Sequence, residues 1–256
     1  MCGTCGCGSD SLTTIKKIGS QEHTHKHHHH EHGHYHHTHS HKTVVELERD
    51  ILQNNQILAT RNRGYFEAKD IFAINLVSSP GSGKTTFLER TLADQKNQHD
   101  FYVIEGDQQT SNDAERIYAQ GVPVVQVNTG KGCHLESDMI HDAVKQMAPK
   151  EKSVLLIENV GNLVCPSLFD LGENKRVVII SITEGEDKPI KYPTMFASSD
   201  VCIINKMDLQ PYLKANIEKI KDYARQVNPH LVFFEVSATT GAGMGQWYEW
   251  LKGQMV

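Results

Sequence analysis

The sequence predicts an α/β fold in which a mostly parallel β-sheet is flanked by helices and preceded by a disordered Cys/His-rich tail. Short apolar runs typical of buried strands recur after residue 70 and alternate with helical segments. One of these strands leads through a glycine-rich loop into a helix. Neither the cysteine-rich nor the histidine-rich part of residues 1–42 has apolar periodicity. We therefore expect a tail over residues 1–42 and one folded domain over residues 43–256.

The elements of this domain are predicted in a regular order. An amphipathic helix is expected from residue 43 to about residue 63. Its apolar stripe consists of Val44, Leu47, Ile51, Leu52 and Leu58. Further helices are predicted over residues 85–93 and 136–147. Strands are predicted over residues 71–77, 101–104, 122–127, 153–157, 176–182, 201–204 and 231–236.

The glycine-rich loop resembles a phosphate-binding P-loop. Residues 78–85 read Ser-Ser-Pro-Gly-Ser-Gly-Lys-Thr and lie between a predicted strand and a predicted helix. In such a loop the backbone N–H groups cradle phosphates, Lys84 reaches the β/γ oxygens and Thr85 holds Mg²⁺. Ser78 stands where the usual pattern has glycine, but the strand–loop–helix context is the one the motif requires. The sequence therefore predicts the P-loop NTPase class, with nucleotide contacts from Gly81, Ser82, Gly83, Lys84, Thr85 and Thr86.

A second motif indicates which base is bound. Asn205-Lys206-Met207-Asp208 directly follows a predicted strand and resembles the guanine-reading motif of GTPases. The carboxylate of Asp208 can accept hydrogen bonds from guanine N1–H and the 2-amino group, which adenine cannot supply in that arrangement. Ser237 and Ala238 resemble the loop that places a backbone N–H near guanine O6. The predicted ligands are therefore GTP and GDP.

Two carboxylates follow predicted strands on the same edge of the sheet. Parallel strands present their carboxyl ends at one edge, so Asp107 and Glu158 are expected near Lys84 and Thr85. With Thr85, one or both would surround Mg²⁺, directly or through water. Asp107 is also a candidate for positioning the attacking water, and Lys84 for stabilising charge on the transferred phosphoryl group. The alternative is that both carboxylates only cap strand ends.

The N-terminal tail contains two groups of metal-ligating residues. Cys2, Cys5 and Cys7 place three thiols within six positions, and residues 23–41 hold twelve of the sixteen histidines. Thiolate and imidazole suit borderline metals such as Ni²⁺. The tail is predicted to bind and store nickel. An expression tag and a solvated polar linker remain alternatives for the histidine tract.

A third group of metal-ligating residues lies inside the folded domain. Cys133 and His134 open a predicted helix, and Cys165 follows the segment that begins at Glu158. Spacing alone favours buried thiols over ligands here. Cys202 lies within an apolar strand and is predicted to be a core residue.

Composition limits the remaining possibilities. The net charge is −5 at pH 7 and the isoelectric point is about 6.3, which argues against nonspecific nucleic-acid binding. No apolar stretch approaches 18 residues, so no membrane span is predicted. The first residues lack the apolar region of a secretory signal. We therefore expect a cytoplasmic protein.

Taken together, these motifs resemble the HypB family of nickel-incorporation GTPases in hydrogenase maturation. The resemblance covers essentially the whole chain and includes serine at the first P-loop position. It implies GTP-dependent delivery of Ni²⁺ to a hydrogenase precursor, with hydrogenase maturation proteins or the hydrogenase large subunit as partners. It also implies a nucleotide-dependent homodimer and a metal site, for Ni²⁺ or Zn²⁺, at Cys133, His134 and Cys165.

Two other functions remain open from the sequence. One is a nickel store in which the nucleotide site has decayed, although the intact Lys84, Thr85, Asp107 and Asp208 disfavour it. The other is a related GTPase that serves urease nickel or a cobalamin enzyme. The cysteine-rich start and the Cys133/His134/Cys165 set favour hydrogenase over these targets.

Overall fold

The computed structural model describes residues 13–19, 44–108 and 110–255, and these form an eight-stranded sheet with helices on both faces. The strands are β1 (Thr14–Lys17), β2 (Phe72–Ser78), β3 (Phe101–Asp107), β4 (Val124–Asn128), β5 (Val154–Glu158), β6 (Lys175–Ser181), β7 (Val201–Asn205) and β8 (Val232–Glu235). Their order across the sheet is β1-β4-β3-β5-β2-β6-β7-β8. β1 is antiparallel to β4, and all other pairs are parallel. The predicted mostly parallel α/β fold is confirmed.

The described residues contain eight α-helices. They are α1 (Val44–Ala68), α2 (Lys84–Gln95), α3 (Asn112–Tyr118), α4 (Ser137–Met147), α5 (Lys188–Lys191), α6 (Pro193–Ala197), α7 (Ile217–Val227) and α8 (Met244–Gly253). Short 3₁₀ turns cover Cys165–Leu168, Ile182–Glu184 and Met207–Tyr212. None of the helices within the described ranges is both long and apolar enough to cross a membrane.

The core consists of two apolar layers because strand side chains alternate between the faces of the sheet. In β2, Ile74 and Leu76 pack with residues of α2 and α8, including Trp247. Ala73 and Val77 point to the opposite face, where one cluster contains residues of α1 and α4 and another contains residues of α6 and α7. This double covering explains why the strands read as continuous apolar runs.

Helix α1 packs along the predicted face, but its buried positions are not the predicted apolar ones. It extends to Ala68, past the expected end near residue 63. Leu47 on the predicted apolar stripe is 53% exposed, and Ile51, Leu52 and Leu58 are only half-buried. The buried residues are instead Asn55, Ala59, Asn62 and Phe66, which recur at helical spacing. Ile51 and Leu58 of the predicted stripe share this face, but two of its buried positions are asparagines bonded to backbone groups.

Strand β1 lies inside the segment that the sequence places in the tail. Thr14 pairs with Asn128 and Lys17 pairs with Val125, so residues 14–17 extend the sheet by one antiparallel edge strand. Little in the sequence indicates this strand, because it has four residues and two of them are lysines. The predicted metal ligands of the tail, Cys2, Cys5, Cys7 and the histidines of residues 23–41, lie outside the described residues.

We predict that Trp247→Ala lowers the free energy of unfolding by about 3–5 kcal/mol, the cost of deleting a large buried aromatic side chain. Trp247 is 0% exposed, packs beside Phe87 and Phe234, and donates from Nε1 to the hydroxyl of Thr91 at 3.1 Å. Urea unfolding monitored by circular dichroism measures the change. The control is Tyr212→Ala, since Tyr212 is 84% exposed and its loss should change stability by less than about 0.5 kcal/mol.

Candidate functional site

The P-loop joins β2 to α2 and has the backbone that a phosphate cradle requires. Gly81 and Gly83 have φ angles of 80° and 89°, a region that glycine adopts without strain. A Cβ atom on Gly83 would lie 2.6 Å from Nδ2 of Asn205, so a larger residue would have to displace that side chain. Ser78, at the position that is usually glycine, is the last residue of β2, pairs with Ile179 and does not have a positive φ angle. Serine therefore needs no special backbone freedom at this position.

A buried ion pair joins the P-loop to the end of β5. Nζ of Lys84 lies 2.8 Å from Oε1 of Glu158, with side-chain exposures of 11% and 1%. The hydroxyl of Thr85 donates to the same oxygen at 2.7 Å and lies 3.1 Å from Oδ2 of Asp113. The structure therefore brings together Lys84, Thr85 and Glu158, as the sequence predicted.

Asp107 lies at the same edge of the sheet but is engaged in its own loop. Its Oδ2 accepts hydrogen bonds from the backbone N–H of Thr110 at 2.8 Å and from the hydroxyl of Thr110 at 2.7 Å. This is the capping geometry that the sequence left open as an alternative. Asp107 nevertheless lines the same cleft as the P-loop.

Two acidic residues of this site were missed by the sequence analysis. Glu105 is 2% exposed in β3, and burial, followed by the charge of Glu158, raises its pKa to about 8. Its position two residues before Asp107, on the same face of the strand, was the available signal. Asp113 follows an irregular loop whose path no periodicity in the sequence predicts.

The acidic residues around Lys84 fit a divalent cation. Oε2 of Glu158 and Oε2 of Glu105 are buried and have no hydrogen-bond partner among the described residues. Carboxylate and hydroxyl oxygens are the donor set that Mg²⁺ takes in nucleotide sites. Thr85 and Glu158 would hold the ion, with Asp107 and Asp113 within the same cleft of about 490 Å³.

The predicted base-reading loop lies beside the P-loop and is fastened to it by Asn205. Nδ2 of Asn205 donates to the carbonyl of Ser82 at 3.0 Å, and Oδ1 accepts from the N–H groups of Lys206 at 2.8 Å and Ala238 at 3.1 Å. Its side chain therefore organises three segments of the site. Lys206 adopts a positive φ of 62°, and its Nζ donates to the carbonyl of Gly81 at 2.6 Å.

The remaining members of the base-reading set are also brought together. The hydroxyl of Ser237 donates to Oδ1 of Asp208 at 2.5 Å. Asp208 is exposed, so a ligand can reach its carboxylate. The predicted set Asn205, Lys206, Asp208, Ser237 and Ala238 therefore forms one loop cluster next to the P-loop.

The three predicted metal ligands of the folded domain converge. Sγ of Cys133, a ring nitrogen of His134 and Sγ of Cys165 all lie within 4.8 Å of one another. The two sulfurs are 2.7 Å apart, and Sγ of Cys133 is 3.7 Å from Nδ1 of His134. The cysteines are half-buried, so an ion can reach them. This convergence favours a metal site over the simple buried thiols that spacing alone suggested.

Aromatic stacking orients the histidine of this cluster. The ring of His134 lies 3.9 Å from that of Phe169 at an angle of 29°, and only 7% of its side chain is exposed. Its Nε2 lies 3.4 Å from Oε1 of Glu136. A carboxylate beside the second ring nitrogen is the usual support for a metal-binding imidazole. Cys202, by contrast, is fully buried in β7, where burial raises the pKa of its thiol, as expected for a core residue.

The segment after β5 joins the P-loop site to the cluster of Cys133, His134 and Cys165. Asn159 follows Glu158, and its Oδ1 accepts from the N–H of Leu135 at 3.1 Å. Asn162 donates from Nδ2 to the carbonyl of Cys133 at 3.4 Å. One short stretch of chain therefore contacts both sites.

Comparison with known proteins identifies a related family. The model of the CobW/HypB/UreG nucleotide-binding domain matches residues 72–235. Hydrogenase maturation factor HypB of Escherichia coli K12 is 54% identical over 213 residues, which cover 83% of this chain and 73% of that protein. Hydrogenase/urease maturation factor HypB of Helicobacter pylori is 42% identical over 201 residues, or 77% of this chain and 82% of that protein.

Solved structures agree with this comparison. The crystal structure of hydrogenase maturation factor HypB from Archaeoglobus fulgidus has a TM-score of 0.74 and 38% identity, covering 80% of this chain and 100% of that one. HypB from Helicobacter pylori in complex with nickel also has a TM-score of 0.74 and 38% identity, covering 79% of this chain and 95% of that one.

We predict that Asn205→Ala lowers the free energy of unfolding by about 2–6 kcal/mol and weakens nucleotide binding. The substitution leaves the N–H of Ala238 and the carbonyl of Ser82 without their bonds, and unmet buried groups cost about 1–3 kcal/mol each. Urea unfolding and titration with GDP measure the two effects. Gln210→Ala, at an exposed position of the same loop, is the control and should change neither.

Proposed function

The chain belongs to the HypB family of hydrogenase maturation factors, and we propose that it hydrolyses GTP and delivers Ni²⁺ to a [NiFe]-hydrogenase precursor. The observation that supports this proposal is that Asn159 and Asn162, one and four residues after Glu158, contact the first of the Cys/His loops at Leu135 and Cys133. The segment that is proposed to respond to nucleotide therefore contacts the loop that carries Cys133 and His134. The coordination chemistry of two thiols and an imidazole suits nickel.

In the proposed hydrolysis, the residues of the chain mainly position and stabilise charge. Lys84 and the backbone N–H groups of the P-loop bind the β/γ-phosphate oxygens, which carry the developing negative charge. Asp107 is proposed to orient the attacking water. Bound Mg²⁺ would neutralise phosphate charge, with Thr85 and Glu158 as the residues that hold it.

We propose that nucleotide state controls the Cys133/His134/Cys165 site. An arriving γ-phosphate competes with Glu158 for Lys84, because the Lys84–Glu158 pair occupies the phosphate-binding end of the P-loop. A shift of Glu158 would be passed to the adjacent Asn159 and Asn162, and through them to Leu135 and Cys133. Changes of this kind in a segment after the γ-phosphate sensor are an established switching mode in nucleotide-binding proteins.

A homodimer that forms in the GTP state is also proposed. Val164 and Leu168 flank Cys165 and are 53% and 58% exposed. Exposed apolar side chains beside a metal cluster are suited to contact a second subunit. Two-fold symmetry would then bring two Cys/His sets together.

In the tail, Cys2, Cys5 and Cys7 are proposed to bind nickel, and the histidine tract is proposed to store it. The protein is proposed to act in the cytoplasm.

We predict that Asp208→Asn weakens GTP binding by about ten- to a hundredfold. The substitution removes the carboxylate that would accept from guanine, and hydrogen bonds to charged groups contribute about 1.5–3 kcal/mol. It should also shift preference toward xanthine nucleotides, whose ring offers an acceptor at position 2. Fluorescent-nucleotide titrations with GTP, XTP and ATP measure the preference, with Gln210→Ala as control. Equal binding of ATP and GTP by the unchanged protein would contradict the guanine assignment.

We predict that a GTP analogue changes nickel affinity at the inner site and that nickel changes affinity for the analogue by the same factor. The protein for this test, the tail-silenced chain, is the full chain with Cys2, Cys5 and Cys7 replaced by serine and the histidines of residues 23–41 by glutamine. Nickel is titrated calorimetrically into this chain loaded with GDP or with a non-hydrolysable GTP analogue.

Cys165→Ala in the tail-silenced chain is the matched control. It should abolish nickel binding at this site and preserve most nucleotide affinity, because the thiol is not expected to touch phosphate. Identical nickel affinities and identical oligomeric states with GDP and the analogue would refute the switch.

A further inference from the structure

Helix α1 is hydrogen-bonded to the two loops that carry Cys133, His134 and Cys165, although it contributes none of the proposed metal ligands. The first metal loop, residues 129–137, carries Cys133 and His134. The second metal loop, residues 159–172, carries Cys165. The first loop joins β4 to α4 and the second joins β5 to β6, so the two are separated in sequence and their spacing depends on contacts between distant parts of the chain. Two buried asparagines of α1 contact both loops at once.

Asn55 bonds to the backbone of each loop with its two side-chain atoms. Oδ1 accepts from the N–H of Ser137 at 2.9 Å, and Nδ2 donates to the carbonyl of Asp170 at 2.7 Å. Asn55 is 5% exposed. Its amide therefore spans the gap between the loops within the protein interior.

Asn62, two turns along the same face of α1, repeats this arrangement. Its Nδ2 donates to the carbonyl of Ser137 at 2.8 Å and to that of Leu171 at 3.1 Å. Asn62 is 3% exposed. Both hydrogens of one amide group are thus used to hold one residue from each loop.

Further contacts bind the second loop tightly to α1. Nη2 of Arg63 lies 2.8 Å and 3.0 Å from the two carboxylate oxygens of Asp170. Gly172 has a φ of 88°, and a Cβ atom there would lie 2.6 Å from the carbonyl of Ala59, so the loop backbone rests directly on the helix. Phe169, the residue before Asp170, stacks on His134. The braced end of the second loop therefore also touches a predicted metal ligand of the first.

Burying amides is costly unless their bonds are made, and an apolar residue would pack a helix against a sheet without that requirement. On α1 the asparagines are buried while Leu47 and Ile57 are 53% and 62% exposed. The choice of amides at the packed positions therefore points to a demand for directional bonds, which fix the relative position of the loops in a way that apolar contacts do not.

We propose that Asn55 and Asn62 are positioning residues of the inner metal site, which hold the two metal loops at the separation that lets Cys133, His134 and Cys165 bind one ion. Ser137 lies three residues after His134, and Asp170 lies five residues after Cys165. If the bonds of Asn55 or Asn62 were lost, a displacement of the loop backbone would therefore reach the metal ligands through short stretches of chain. This inference rests on the proposed function, because it assumes that the inner site binds metal.

The test measures Co²⁺ binding to the tail-silenced chain, with Co²⁺ as a spectroscopic probe for thiolate coordination. Asn62→Ala should weaken Co²⁺ binding about tenfold or more, as is usual when a group supporting metal ligands is removed. It should also alter the thiolate-to-cobalt charge-transfer band. Asn54→Ala is the matched control, because Asn54 is the exposed asparagine next to Asn55 on the same helix. Asn55→Ala, which removes the other pair of bonds to the two loops, serves as the second variant and should have the same effect.

The readouts separate positioning from a merely structural role. Each variant is examined at a temperature where circular dichroism shows it to be folded, and its GDP affinity is expected to match the control. Folded variants that bind Co²⁺ with the affinity and spectrum of Asn54→Ala would overturn the inference. A control chain that binds no Co²⁺ at all would instead overturn the inner metal site, and with it both proposals. Loss of Co²⁺ affinity with retained GDP affinity supports the positioning role.

Discussion

The buried ion pair between Lys84 and Glu158 is the interaction on which the rest of the site depends. Glu158 is almost fully buried at the end of β5, and Glu105 lies near it with a raised pKa. Without Lys84, a carboxylate would remain buried without its ion-pair partner, which costs about 3–5 kcal/mol when one partner of such a pair is removed. The positive charge of Lys84 therefore offsets part of the repulsion between the carboxylates of Glu158 and Glu105. The pair also places the lysine in the P-loop beside the expected phosphate position, which is the basis of the proposed coupling between phosphate binding and movement of Glu158.

The parallel sheet explains why so many polar groups meet at this place. β2, β3, β5 and β7 run in the same direction, so the P-loop, Asp107, Glu158 and Asn205 all emerge at one edge. The core below them is apolar on both faces and holds the strands in fixed register. Asn205 then joins neighbouring loops by bonding to three of their backbone groups. Rigid strands set the coarse positions, and buried amides set the finer ones.

The sequence predicted those features of the fold and the site that depend on local patterns, and it missed those that depend on contacts between residues far apart in the chain. Most strands were predictable because a buried parallel strand is a short apolar run, and the P-loop and Asn205–Asp208 motifs were predictable because their spacing is local. The burial of Asn55 and Asn62 on α1 was not predictable, because the partners of these polar residues lie at Ser137, Asp170 and Leu171. Asp113 and the role of Asn159 were missed for the same reason, since their contacts are long-range. The Cys133/His134/Cys165 set illustrates the limit most clearly: its spacing favours buried thiols, and only the fold brings the three side chains together.

The same buried amides give the molecule a direct physical connection between its two sites. Asn159 follows Glu158 without an intervening residue and accepts from Leu135, which follows His134. From the other side, α1 holds the far ends of the same two loops through Asn55 and Asn62. The second metal loop begins directly after Glu158 and is held at its far end by α1. In the proposed switch, a movement of Glu158 would therefore be taken up in the stretch that carries Cys165, and it would reach Leu135 and Cys133 through Asn159 and Asn162. Directional bonds at the far ends of both loops would then make Cys133, His134 and Cys165, rather than the surrounding helices, the part of the structure that responds.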